Sequence, residues 1–178
     1  MRMRRKKHGA ERIAACSEIL IPTPITPAVH PQSFFSEERP VCLEIGCGKG
    51  VSTAAMVYDN QDINFIAMDI TCNVLGDTRR NIAKTYGEQP VKNAMITRYN
   101  IEDIRKVFAP EDRVERIYIN FCNPWNEKAK QHKRRLTHPR QLMQYRDFLA
   151  PGGEIWFMGK RIDVLTPEQE RYLNESGI

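Results

Sequence analysis

The chain has 178 residues, of which 41% are hydrophobic and 28% are charged, and its formal net charge is +5. These proportions are typical of one globular domain and exclude a collagen, a coiled-coil rod and a wholly disordered chain. No apolar run approaches the roughly 20 residues that a membrane helix needs, and the charged start MRMRRKKHGAER is unlike a secretory signal. We therefore expect a cytoplasmic protein that does not bind membranes.

The positive charge is concentrated in two parts of the chain. Six Lys and Arg residues lie within 1–12, and six more lie within 128–140, a stretch that contains no acid. Two such clusters on a nearly neutral body favour a polyanionic partner, most simply a nucleic acid, over surfaces that are merely solvated.

The cysteines and histidines indicate neither disulfides nor a metal site. The five cysteines are odd in number, form no C-x-x-C pair and read best as reduced thiols that pack as small apolar side chains. The four histidines show no ligand spacing.

Residues 1–40 are predicted to form a basic arm and a proline-rich leader, and 41–178 the folded domain. The leader sequence ILIPTPITPAVHP contains four prolines, which block both a helix and a central strand. We expect an extended segment that lies over the domain.

From residue 41 onward, apolar runs alternate with helical spacing. The apolar runs predict five strands, at 41–45, 64–69, 93–99, 116–121 and 154–158. Helical spacing joins Val74, Thr78, Ile82 and Tyr86, and a second helix with a Thr137 cap is predicted from Leu142, Tyr145 and Leu149. This alternation predicts a doubly wound α/β domain with a mostly parallel sheet and a ligand site at the carboxyl ends of its strands.

The first strand leads into Glu44-Ile45-Gly46-Cys47-Gly48-Lys49-Gly50. The pattern is not a dinucleotide fingerprint, because Val51 stands where that motif has its third glycine. It is not a P-loop either, because Lys49 is followed by Gly50 and not by Ser or Thr. The G-x-G-x-G pattern resembles motif I of the class I S-adenosylmethionine-dependent methyltransferases. Asp69, after the second strand, has the acceptors for two ribose hydroxyls, and Glu44 would lie near the cofactor's ammonium group. The alternatives are a helix cap at Asp69 and an exposed strand end at Glu44.

The fourth strand ends at Asn123-Pro124-Trp125, which a basic run follows. An amide, a stiff proline and an aromatic ring can hold a planar base, while the basic run holds phosphates. The alternative is a buried tryptophan beside a strand-end turn with a solvated charge run.

Four stretches are similar to the bacterial tRNA (guanine-N7)-methyltransferase family: the MRMR start, LEIGCGKG, INFCNPWNEKAKQHKRRLTH and PGGEIWF. The resemblance implies a Rossmann-like class I methyltransferase fold, S-adenosylmethionine as cofactor, and methyl transfer to N7 of a guanine in the variable loop of tRNA. By matched position, it implies cofactor contacts from Glu44, Gly46, Gly48, Asp69, Asn100 and Asn123. It further implies that Asn123 is the catalytic residue and that Lys128 contacts substrate, and we add Lys133, Arg134 and Arg135 as phosphate contacts.

The chain departs from that family at several points. Asn100 and Asn123 stand where the family has Asp, and the last strand pair of class I methyltransferases has no counterpart in the sequence. We therefore expect a sheet without the C-terminal strand pair, with strand five as an open apolar edge. Two alternatives stay open: a methyltransferase of exocyclic amines, such as adenine N6, suggested by Asn123-Pro124-Trp125, and a non-catalytic RNA-binding relative. The oligomeric state is not predicted.

Overall fold

The computed structural model describes residues 8–23, 30–120, 122, 133–157 and 160–162. Within this part of the chain, six strands form one sheet: β1 Val41–Ile45, β2 Asn64–Asp69, β3 Ala94–Arg98, β4 Val114–Ile119, β5 Leu149–Phe157 and β6 Lys160–Ile162. Four α-helices accompany them: α1 Gly9–Ala14, α2 Val51–Asp59, α3 Cys72–Tyr86 and α4 Pro139–Arg146. None of the helices in these ranges is long and apolar enough to cross a bilayer.

The strands lie in the order β3-β2-β1-β4-β5-β6. The first five are parallel, and Leu43 of β1 pairs with Ile66 of β2 on one side and Ile117 of β4 on the other. The predicted doubly wound α/β sheet is therefore confirmed. Because β1 is central, the carboxyl ends of β1, β2 and β4 meet at one edge of the sheet, where such folds bind ligands.

Helices cover both faces of the sheet, which explains the continuous apolar runs. On one face, Leu43 and Ile45 belong to a buried cluster with Tyr145 of α4. On the other face, Cys42 and Phe65 pack in a second cluster with residues of α2 and α3. The four residues at helical spacing in α3 are all buried, as predicted: Val74, Thr78, Ile82 and Tyr86.

The second predicted helix is shorter than its apolar spacing indicated. It ends at Arg146, and Leu149 is instead the first residue of β5, paired with Val114. Its N-cap is His138 rather than Thr137, and the His138 side chain accepts from the backbone N–H of Arg140. Proline at the first helical position, whose fixed φ suits a helix start, places the boundary one residue later than expected.

The prediction that strand five forms an open edge is wrong over the last residues of β5. Strand β6 runs antiparallel to it and pairs Lys160 with Phe157 and Ile162 with Ile155. A hairpin partner satisfies backbone groups that an apolar edge would leave available to another chain.

The arm is partly helical, which the sequence pattern did not predict. Helix α1 packs against α3, where Arg12 Nη2 lies 2.6 Å from Asp77 Oδ1. Arg12, one of the N-terminal basic residues, is thus paired with an acid of the domain itself. After turns over 15–19, the chain runs beside β3: the Ile21 N–H donates to Ile96 O at 2.9 Å, and the Ile96 N–H donates to Ile19 O at 2.7 Å. The leader therefore begins beside β3 at the edge of the sheet. Further on, Pro31–Phe34 form a 3-10 helix, and residues 24–29 of the predicted leader lie outside the described residues.

Candidate active site

A glycine loop joins β1 to α2 at the carboxyl edge of the sheet. Gly46, Gly48 and Gly50 have φ values of 75°, 57° and 67°, in the left-handed region that favours glycine. The Gly46 N–H donates to Met68 O at 2.8 Å, which ties the loop to the end of β2. Thr78 of α3 donates from Oγ1 to Gly48 O at 2.9 Å. The loop is thus held from two sides by elements distant in sequence.

Two of these glycines are required for different reasons. A Cβ on Gly50 would lie 2.3 Å from Thr78 Cγ2 and 2.8 Å from Thr78 Cα, so the loop approaches α3 too closely for any side chain. A Cβ on Gly48 would meet no atom of the described residues within 4 Å. Gly50 therefore serves packing, whereas Gly48 leaves an open backbone surface against which a ligand can lie.

Asp69, the last residue of β2, faces this loop. Its Oδ2 accepts from the Gly48 N–H at 3.1 Å, and its Oδ1 accepts from the Thr71 N–H at 2.8 Å. Helix α3 starts at Cys72 with Thr71 as its N-cap, so Asp69 is not the cap. Burial raises the pKa of the Asp69 carboxyl, although these backbone hydrogen bonds oppose the rise. Each oxygen still has acceptor capacity for a hydroxyl group.

Glu44 of β1 is buried rather than an exposed strand end, with 1% of its surface accessible. Its Oε2 accepts from the Thr53 hydroxyl, and its Oε1 accepts from Asn120 Nδ2 at 3.3 Å. Burial raises the pKa of the Glu44 carboxyl, and hydrogen bonds from Thr53, Asn120 and Ser52 oppose that rise. All three donors are neutral, so they orient the carboxylate without cancelling its charge.

Asn100 follows β3 at the same edge of the sheet. It is exposed, and its Oδ1 accepts from the Glu102 N–H at 3.2 Å, which caps the 3-10 helix Ile101–Lys106. The backbone N–H of the preceding residue, Tyr99, donates to Asp69 O at 3.1 Å. The structure therefore brings Glu44, Gly46, Gly48, Asp69 and Asn100 to one edge, as the strand order requires.

The predictions for Asn123 and Lys128 concern residues outside the described ranges. The residues that flank this segment are informative, however. A Cβ on Gly46 would lie 3.4 Å from Leu136 Cδ1 and 4.0 Å from Cys122 Cβ. Both flanks of 123–132 therefore lie beside the glycine loop. Just after it, Lys133 and Arg134 are exposed and Arg135 is half-buried.

Two residues of the site were missed by the sequence reasoning. Thr53 and Asn120 both hold the Glu44 carboxylate, but neither was assigned a role. Thr53 lies outside the quoted motifs, and Asn120 lies within the stretch INFCNPWNEKAKQHKRRLTH. Asn120 carried one local signal, since it is a polar residue that directly follows the apolar run of β4.

The five cysteines are all free. Cys16, Cys42 and Cys47 are buried, and burial raises the pKa of each thiol. In the part of the chain that the structure describes, no group of three or more His, Cys, Asp or Glu side chains is arranged to hold a metal ion.

Solved structures with the same fold are methyltransferases. The 16S rRNA methyltransferase KamB matches with a TM-score of 0.51 and 15% identity over 68% of this chain and 53% of that one. An antibiotic-related methyltransferase matches with a TM-score of 0.50 and 17% identity over 66% of this chain and 55% of that one. At this identity the matches establish a class I methyltransferase fold and nothing finer.

Sequence comparisons give a more specific result than the structural ones. A family model described as "Putative methyltransferase" matches residues 38–172. The tRNA (guanine-N(7)-)-methyltransferase of Ruminiclostridium cellulolyticum is 42% identical over 99% of this chain and 75% of its own length. The enzyme of the same name from Clostridium beijerinckii is 44% identical over 99% of this chain and 80% of its own length. With this similarity over nearly all of its length, the chain belongs to the tRNA (guanine-N7)-methyltransferase family.

Proposed function

We propose that this protein transfers the methyl group of S-adenosylmethionine to N7 of a guanine in the variable loop of tRNA. One observation carries the proposal. A buried carboxylate on Glu44 and a partly buried one on Asp69 flank an open glycine loop in a chain more than 40% identical to tRNA (guanine-N(7)-)-methyltransferases. Because tRNA is the substrate, we propose the cytoplasm as the site of action.

The residues at the sheet edge fit the cofactor in their chemistry. Glu44 is a buried carboxylate with only neutral donors around it in the described structure, so an ammonium group complements its charge. Asp69 offers two acceptors to a ribose diol, and Gly48 presents backbone with no side chain in the way. We assign Glu44 to the methionyl ammonium, Asp69 to the ribose, and Gly46 and Gly48 to the loop that lies against the cofactor.

Asn100 completes the cofactor site at its outer side. It follows β3, one strand further from β1 than Asp69, which favours a contact with the nucleoside end of the cofactor. An Asn offers both a donor and an acceptor there, whereas the Asp usual in the family offers only acceptors. Its present hydrogen bond to the Glu102 N–H uses one lone pair of the amide oxygen.

Bound S-adenosylmethionine supplies an electrophilic methyl group on its sulfonium centre. Guanine N7 has an in-plane lone pair and no proton, so the enzyme needs no general base to make it nucleophilic. The protein must hold N7 in line with the methyl group at near-attack distance and accommodate a purine that becomes cationic. We assign Asn123 to this task, with its carbonyl oxygen accepting from the N–H groups of the guanine edge.

Lys128 and the basic residues Lys133, Arg134 and Arg135 are proposed to bind the tRNA backbone. Cys122 and Leu136, which flank residues 123–132, lie beside Gly46. The basic residues Lys133, Arg134 and Arg135 are therefore close to the edge of the sheet at which we place the reaction. Phosphate contacts of this kind position a nucleic acid without reading its sequence.

The reaction is tested directly by incubating the protein with methyl-labelled cofactor and unmodified tRNA, then identifying nucleosides by mass spectrometry. N7-methylguanosine is the expected product. N6-methyladenosine would instead establish an exocyclic-amine methyltransferase, and tRNA binding without any methyl transfer would establish the non-catalytic relative.

The role of Asn123 needs a separate measurement. We expect Asn123→Ala to slow methyl transfer in a single turnover while cofactor affinity stays within about threefold, because the residue orients the base. An unchanged single-turnover rate would contradict this assignment.

A further inference from the structure

Asn120 directly follows β4 and reaches across to the acid of β1. Its side-chain amide donates to Glu44 Oε1 at 3.3 Å, and Thr53 of α2 donates to the other carboxylate oxygen. Both oxygens of a fully buried carboxylate are therefore held, each by a neutral group from a different element. A glutamate side chain has three rotatable bonds, and these two contacts fix the plane in which its charge is presented.

The bond between Asn120 and Glu44 is not needed to align the two strands. Strands β1 and β4 already pair through their backbones, from Val41 with Val114 to Glu44 with Tyr118. The side-chain bond joins the last residue of this ladder in β1 to Asn120, which lies two residues beyond Tyr118, at the edge where the glycine loop starts. Its consequence is therefore local to the carboxylate.

The neutrality of the donor decides what the carboxylate can bind. An arginine at position 120 would form an ion pair with Glu44 and leave little charge for a ligand. An apolar residue would leave the buried oxygen without a donor and favour its protonated form. An amide stabilises the ionised carboxylate and leaves its full negative charge available to a cation.

We propose that Asn120 is a positioning residue for cofactor binding, which holds the Glu44 carboxylate ionised and oriented to receive the ammonium group of the methionyl moiety. The proposal rests on the role proposed above for Glu44. Asn120 acts through Glu44 and need not touch the cofactor itself.

Binding calorimetry with two nucleosides tests this role without the methyl-transfer reaction. S-adenosylhomocysteine carries the amino-acid ammonium, whereas 5′-methylthioadenosine lacks the amino-acid portion. We expect Asn120→Ala to weaken binding of S-adenosylhomocysteine about tenfold, the effect of one hydrogen bond to a charged group, and to leave 5′-methylthioadenosine within about twofold. Asn60→Ala is the matched control, because Asn60 donates to Met56 O after α2, at the opposite edge of the sheet.

The pH profile gives a second readout that a merely structural role would not change. Loss of the Asn120 donor removes a hydrogen bond that lowers the pKa of Glu44, so the pH below which S-adenosylhomocysteine affinity falls should rise in the variant. Thr53→Val removes the other donor with little change in shape and should shift the profile in the same direction. It also provides the test if Asn120→Ala does not fold.

Each outcome separates the two proposals. If Glu44→Gln leaves the ratio of the two affinities unchanged, the role of Glu44 itself is wrong. If Glu44→Gln changes that ratio but the Asn120 and Thr53 variants weaken both nucleosides equally, or leave the pH profile in place, the role of Asn120 is overturned. A selective loss for S-adenosylhomocysteine together with a shifted profile supports it.

Discussion

Alanine at two positions of the glycine loop should have different main effects, on stability at Gly50 and on cofactor binding at Gly48. Alanine at Gly48 or Gly50 costs about 1–2 kcal/mol for a left-handed backbone. At Gly50 the new Cβ also overlaps Thr78 Cγ2 at 2.3 Å and Thr78 Cα at 2.8 Å, and overpacking of this kind adds about 1–3 kcal/mol. We therefore expect Gly50→Ala to lower the free energy of unfolding by about 2–5 kcal/mol and Gly48→Ala by only about 1–2 kcal/mol.

Cofactor binding should follow the opposite order. A Cβ on Gly48 enters the open surface against which we place the cofactor, so Gly48→Ala should weaken S-adenosylhomocysteine more than its small loss of stability explains. Urea unfolding and calorimetry measure the two quantities. Gly152→Ala is the control, because Gly152 also has a positive φ and open space but lies near the start of β5, away from the site. Equal losses of stability at Gly48 and Gly50, or unchanged binding by Gly48→Ala, would refute this reasoning.

Two further predictions concern charge. Burial raises the pKa of Glu44, so ionising it destabilises the folded protein, and stability falls as pH rises through that pKa. Glu44→Gln should therefore raise the melting temperature of the ligand-free protein, with a gain that grows as the pH rises above the ordinary pKa of a glutamate; a gain that does not grow with pH would contradict this. Changing Lys133, Arg134 and Arg135 to Glu should flatten the slope of log tRNA affinity against log salt concentration, by about one for each phosphate that the protein no longer binds. Arg12→Gln is the control because Arg12 is paired with Asp77, and an unchanged slope in the triple variant would mean that the three residues do not contact phosphate.

Local sequence patterns predict the strands and helices in which buried residues recur at regular positions. The central strands are apolar on both faces because helices cover both, so β1 and β2 were predicted at their observed bounds. In helix α3, buried residues recur at every fourth position from Val74 to Tyr86. Helix α1 has only six residues and docks through Arg12 on Asp77, a contact 65 positions away in sequence. No local pattern reports such a contact, and helical propensity alone does not form so short a helix.

The candidate site likewise contains residues that a local pattern indicates and residues that only a contact distant in sequence brings to it. Glu44 and Asp69 were found because each has a fixed place beside a glycine motif or at a strand end. Thr53 and Asn120 matter only because the sheet order places β4 beside β1 and because α2 returns over the end of β1. Periodicity predicts that strands exist, but it does not state which strands are neighbours. For residues that support a site from a neighbouring element, a motif therefore does not state the role, even where it contains the residue, as it does for Asn120.

The Glu44 carboxylate is the one point at which β1, the central strand of the described sheet, departs from what folding alone favours. The other four residues of β1 are apolar and buried, and an apolar side chain at position 44 would extend that pattern. Instead the chain buries an acid whose ionised form is disfavoured by desolvation, and it supplies donors from α2 and from the residue after β4 to keep that acid oriented. A local conflict that neighbouring elements are built to maintain marks a binding function, because stability gains nothing from it. This conflict supports the proposed role of Glu44 as a ligand contact, independently of the motif in which it lies.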